Sequence, residues 1–130
     1  MTTAQNDYAA RVRAAGAAYY TLTALNQRDY VALFAFEGGD YSSATFRGQV
    51  RSRPDADGDP LAEFTCTPEL SGSDTVLTVT IAKADIVALP AAAEPGAASL
   101  LYYDITIEPD GGVEETIFAG EFYRAGSITK

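Results

Sequence analysis

Apolar residues recur about every fourth position in residues 3–18 and every second position from residue 19 onward, and this change of period divides the chain in two. In the first part Ala4, Tyr8, Val12 and Ala15 share one face of a helix, with Gly16 as a stop. The pattern predicts a short amphipathic helix, with a flexible arm as the alternative. A helix of that length is marginal alone, so it is expected to dock on the body of the protein or on a neighbouring subunit. The chain thus divides into residues 1–18, a helical or flexible segment, and residues 19–130, a single β domain.

The second part reads as strands and turns. YYTLTAL (residues 19–25) and DYVALFAFE (29–37) are apolar on both faces in places, the pattern of central strands in a two-layer packing. EGGDYSS follows as a turn, its paired glycines expected at positive φ. ATFRGQVRSR sets Phe46, Gly48 and Val50 against Arg47, Gln49, Arg51 and Arg53. LAEFTCT turns Ala62, Phe64 and Cys66 inward, which predicts a hairpin across the DADGDP loop.

After the turn SGSD, VLTVTI points Leu77, Val79 and Ile81 one way. KADIVALP reads as one helical turn ended by Pro90, and AAAEPGAAS as a loop flexible by composition. SLLYYDITIE has the cleanest alternation in the chain, with Leu101, Tyr103, Ile105 and Ile107 on one side. PDGG turns it into VEETIFAGEFYRAG, whose alternation slips at Ala119 and Gly120, where a bulge is expected. About seven short strands with few helical residues predict a mainly β fold, an antiparallel β-sandwich of immunoglobulin-like size, with an up-and-down barrel as runner-up.

Composition narrows the function. At 130 residues the chain has the length of one domain. Its net charge of -9 repels phosphate backbones and points away from nucleic acid as a partner. No apolar run approaches the roughly 18 residues that span a bilayer, so no membrane partner is expected. The opening MTTAQNDYAARVRAAG lacks the charged and apolar regions of a secretory signal, and folding in a cytoplasm is expected. Cys66 is the only cysteine and histidine is absent, which excludes intrachain disulfides, cysteine zinc clusters and Ser-His-Asp or Cys-His catalysis. Alternating with Ala62 and Phe64, Cys66 is expected as a buried core thiol.

The densest chemistry lies in FRGQVRSRPDADGDP. Asp55, Asp57 and Asp59 take positions 1, 3 and 5 of an EF-hand-like register, a weak candidate for a metal site. Pro60 stands where that loop needs glycine and Cys66 where it needs glutamate. Arg47, Arg51 and Arg53 line one strand face and suit an acidic partner or a sulfated sugar, or else pair with the chain's own surplus acids. Tyrosines including Tyr102 either anchor an interface or pack at sheet edges. No phosphate loop, dinucleotide fingerprint or placed carboxylate pair is present, so neither a catalytic residue nor a cofactor is assigned and the inventory points away from an enzyme.

From residue 44 onward the order of features resembles small virion-associated proteins of tailed bacteriophages. The stretches that carry the resemblance are ATFRGQVRSRPDADGDPLAEF, TVLTVTIAKADIVALP, LLYYDITIEPDGGVEETIFAGEF and the terminal SIT. The resemblance implies an Ig-like β-sandwich and a structural role in the tail, baseplate or a fibre attachment, within a virion assembled in the host cytoplasm. Partners would be other virion proteins and copies of itself, with Tyr8, Val12, Arg47, Arg51, Arg53 and Tyr102 as interface candidates. Alternatives in the same setting are a receptor- or carbohydrate-binding module at the tail tip, taking a host-surface glycan, and a head decoration protein.

Overall fold

The computed structural model describes residues 10, 12, 14, 16–25, 28–54, 58–90, 97–109 and 112–125. Most of the segment expected to be helical, residues 3–18, falls outside them; Ala10, Val12 and Ala14 are helical, while Ala18 already belongs to a strand. The described fold is mainly β. Its strands are β1 (Ala18–Tyr19), β2 (Leu22–Leu25), β3 (Tyr30–Phe36), β4 (Thr45–Arg51), β5 (Ala62–Ser71), β6 (Asp74–Ile81), β7 (Ser99–Glu108) and β8 (Glu115–Ala125). One short helix, α1 (Lys83–Ala88), lies between β6 and β7.

The strands form one sheet in the order β1-β8-β7-β4-β5-β6-β3, with β2 also on β8. The sheet is curled into a half-barrel. Five ladder steps separate β8 from β3, about 24 Å along a flat sheet. Phe34 of β3 nevertheless stacks on Phe118 of β8 at 4.5 Å between ring centroids. The sheet therefore bends back on itself, drawn closed by aromatic side chains on its concave side.

The alternation expected of β4, β6 and β7 is present in full. Phe46 and Val50, then Leu77, Val79 and Ile81, then Leu101, Tyr103, Ile105 and Ile107 are all buried. The hairpin across residues 52–61 pairs Gly48 with Phe64 and Val50 with Ala62. Cys66 is half-buried rather than fully enclosed, and burial pushes its thiol up to about 11. Of the paired glycines, only Gly38 has positive φ, at 71°.

Two expectations are corrected. The register of β7 on β8 slips between Ile105 and Thr106, which puts the bulge at Ile117 and not at Ala119 or Gly120. The apparent slip at Gly120 has another cause: a Cβ there would overlap the backbone carbonyl of Tyr20, which passes directly over it. That carbonyl accepts the Tyr103 hydroxyl at 2.9 Å, so glycine admits a crossing that a buried tyrosine then holds. The second correction concerns position. YYTLTAL and DYVALFAFE were expected as central strands; β1 with β2, and β3, instead form the two ends of the sheet.

α1 packs on the core. Ile86 and Leu89 enter the core, and the helix ends are satisfied from elsewhere in the chain. Asp29 accepts the Lys83 amide at 2.7 Å, serving the first turn where Ala82 offers no side-chain cap. The buried Arg124 donates from Nε to the Ile86 carbonyl at 2.9 Å and satisfies the C-terminal end.

Candidate functional site

Two regions outside the core concentrate chemistry or exposed apolar surface: the convex face of β4, β7 and β8, and the seam between the ends of the sheet. On the convex face the ladder sets Arg51 beside Tyr102 and Tyr102 beside Glu121, with Gln49, Asp104 and Ala119 in the next row. Arg47 lies opposite Thr106 and Gln49 opposite Glu63. The arginine stripe expected on one face of β4 is therefore embedded among acids and tyrosines of neighbouring strands.

The three arginines are used differently. Arg51 is half-buried and donates from Nη1 to the Gly58 carbonyl at 2.9 Å and from Nη2 to Gln49 Oε1 at 2.8 Å. It thereby ties the loop after β4 to the strand. Arg47 reaches Glu114 at 3.6 Å with both side chains well exposed, a contact of small energetic weight. Arg53 is exposed and lies just past the end of β4.

Arg51→Gln is accordingly expected to cost about 1 kcal/mol in unfolding free energy, below the roughly 1.5–3 kcal/mol of a charged hydrogen bond because the site is partly exposed. Arg47→Gln and Arg53→Gln should each stay within about 0.5 kcal/mol. Denaturant midpoints of the three variants measure this; equal losses at all three would show that the loop contact of Arg51 carries no special weight.

Asp104 sits half-buried on the same face. Burial raises its carboxyl above the usual carboxylate value; Arg51 opposes that shift and Glu114 adds to it. A folded-state value above the unfolded one means that the native state holds the proton more tightly. The group thus favours folding increasingly as pH falls from 7 toward about 4, and disfavours it at neutrality. Asp104→Asn is expected to raise the melting temperature at pH 7 and to flatten its rise on acidification. A lower melting temperature at pH 7 would mean that attraction to Arg51 outweighs burial.

Where β8 meets β1 the convex face is covered. Val12 and Ala17 pack on Ala119, with Tyr19 alongside, so Val12 is buried against its own chain. Glu121, 2% exposed, accepts the hydroxyls of Tyr19 and of Tyr123, the latter at 3.2 Å. Burial, with the bond to Glu121 second, pushes the Tyr19 phenol up to about 12. The two phenols and the carboxylate interlock, and the raised Tyr19 phenol stays protonated as the donor to Glu121. Glu121 was not singled out by the sequence pattern; its bond to Tyr19 crosses from β8 to β1, a pairing that periodicity within β8 cannot reveal.

Tyr8, Asp55 and Asp57 lie outside the described residues. Asp59 is exposed, and among the described residues no cluster of three His, Cys, Asp or Glu is arranged to hold a metal. Tyr102 is half-buried between Glu121 and Arg51. Of the other described tyrosines, Tyr20 and Tyr41 are exposed, whereas Tyr103 is buried in the core.

The seam was not anticipated. Its walls are β3 on one side and β1 with β2 on the other, bridged by Tyr20, whose ring lies 6.0 Å from Phe34 and 5.7 Å from Phe118. A cleft of about 340 Å³ opens there, lined by Tyr20, Leu22, Leu33, Phe34 and Phe118 among others. Tyr20, Leu25, Val31 and Leu33 are each about half exposed or more. The signal for this was already visible in strands apolar on both faces, but it had been assigned to the sheet centre.

No family model matches this chain, and no curated protein matches it either.

Proposed function

We propose that this chain is a non-enzymatic structural protein that acts through protein–protein interfaces, as a component of a tailed-bacteriophage particle at the baseplate, tail or a fibre attachment. The observation that carries the assembly reading is the apolar surface along the open ends of the sheet, where Val31 and Leu33 are 59% and 66% exposed. Exposed apolar rows on an unpaired edge are the usual form of a surface completed by another chain. The titratable groups support the same reading: Cys66, Tyr19 and Tyr30 are all raised by burial, which makes them less reactive at neutral pH.

The phage setting rests on the resemblance of the stretches between residues 44 and 129, and it brings assembly in a host cytoplasm with it. An Ig-like sandwich belongs to this reading too, because β5 pairs with β4 through Ala62, Glu63 and Phe64 and with β6 from Thr65 to Ser71. A strand shared in that way is how one curled sheet passes into two facing layers. The test is composition of gradient-purified particles from cells producing the phage that encodes the chain. The chain is expected as a stoichiometric component near the tail, by mass spectrometry and by gold labelling. Its absence from particles overturns the phage setting, labelling on the capsid moves it to a head decoration role, and saturable signal on a glycan array replaces scaffolding with receptor binding.

A further inference from the structure

β1 and β2 form one strap that lies parallel on β8 in the same register on both sides of a break at Tyr20 and Thr21: Ala18 pairs with Phe118 and Leu25 with Ala125. Among the described residues its ladder is with β8 alone. Across the seam β3 offers a ring contact, Phe34 to Tyr20 at 6.0 Å, and no ladder. The seat on β8 is specific to the strap. Gly120 leaves the space through which the Tyr20 carbonyl passes, Tyr103 donates to that carbonyl at 2.9 Å, and the buried Glu121 accepts the Tyr19 hydroxyl.

The strap is joined to β3 by residues 26–29 alone. Fully extended, that connection from Leu25 to Tyr30 reaches about 18 Å. A flat sheet would set β8 and β3 roughly 24 Å apart, so a chain seats its own strap only when curled. Exposed apolar side chains gather around the same connection: Leu25 before it, Val31 and Leu33 after it, and Tyr20 at the mouth of the seam.

We propose that two copies of this chain exchange the segment up to Leu25, each laying its strap on β8 of the other. The inference rests on the assembly reading and supplies the joint between copies. The seat selects the occupant, because a notch for a main-chain carbonyl beside a buried carboxylate that needs a phenol is filled by Tyr20 and Tyr19 of this sequence. Exchange keeps every contact of the seat, so the two forms differ only in the connection and in the new surface between the bodies. Short connections invite such exchange. At about 18 Å the connection also holds the two seams against one another, which covers Leu25, Val31 and Leu33 by symmetry. Each copy carries -9, so added salt favours the exchanged form as concentration does.

Leu25→Cys and Ala125→Cys, placed in separate chains that both carry Cys66→Ser, read the exchange directly. The two positions are ladder partners, and Cys66 is the only native cysteine. After the chains are unfolded together, refolded and oxidised, a mixed disulfide dimer is expected, rising with protein concentration and salt. The Leu25→Cys homodimer measures random collision. Thr23→Cys with Tyr123→Cys serves as a second pair should a chain of the first fail to fold. Inserting Gly-Ser-Gly-Ser between Gln27 and Arg28 should lower the mixed yield about tenfold, because a longer connection lets each chain close on itself. A mixed disulfide no more abundant than the homodimer, or one indifferent to the insertion, overturns the proposal. Chain found in particles without the mixed disulfide overturns the exchange alone, whereas an exchanged dimer missing from particles overturns the phage setting alone.

Discussion

Phe122→Ala is expected to lower the unfolding free energy by about 3–5 kcal/mol, the range for deleting a large aromatic from a core. Phe122 is fully buried, with its ring edge-on to Tyr30 at 5.5 Å and to Phe64 at 6.0 Å. Those partners lie on β3 and β5, so one side chain of β8 touches strands far from it along the sheet. Removing it takes away transfer energy and also one of the bridges that hold the curl, leaving a cavity that the rigid ladder cannot collapse. Against a total of about 5–15 kcal/mol for a domain, the loss is severe. Urea denaturation measures it as a lower midpoint at unchanged slope. A loss below about 1 kcal/mol would mean that the concave core repacks freely and that the aromatic bridges do not set the curvature.

Gly120→Ala is expected to cost about 2–3 kcal/mol, although it adds a single methyl group. Overpacking in a well-filled site ordinarily costs about 1–3 kcal/mol. Here the obstacle is the Tyr20 backbone carbonyl, which belongs to the strand connection and cannot swing aside like a side-chain tip. Displacing it also strains the bond from the Tyr103 hydroxyl, which contributes about 1 kcal/mol. The damage should be local as well as global, because among the described residues β1 and β2 pair only with β8. Hydrogen exchange should accelerate over residues 18–25 more than in β5 and β6. Uniform acceleration would show that the crossing is not a separate weak point.

Tyr103→Phe separates the two effects at this crossing. It keeps the ring packing and removes only the hydroxyl, so its cost isolates the hydrogen bond from the steric demand at Gly120. The comparison bears on function, since β1 and β2 form one wall of the seam and their seating shapes the cleft beside β3.

Much of the fold was legible in the chain itself. Period-two alternation identifies the buried faces of β4, β6 and β7 because each of these strands has one apolar and one polar face. Turn chemistry located the β5–β6 and β7–β8 connections, with Gly72 at φ 63° in the first of them. The short helix ending before Pro90 followed from proline's effect on the preceding residue. The candidate site was less legible. The arginines of β4 were visible as a stripe, but their value depends on Gly58, Glu114 and Asp104, which approach from other segments.

Strands apolar on both faces exposed the main ambiguity. Burial within the chain and burial against another chain leave the same residues behind, so β3 and the run from Tyr19 to Leu25 read as central strands. Periodicity ranks faces and does not rank positions within a sheet. The strands, most of their inward faces and the hairpins between neighbours are written locally, because these depend on residues within a few positions of one another. The strand order, the curl, the enclosure of Glu121 and the place of β3 at one end of the sheet arise from long-range contacts. Each of those depends on pairings between residues as much as 102 positions apart, as between Tyr19 and Glu121, and no local pattern encodes such a distance.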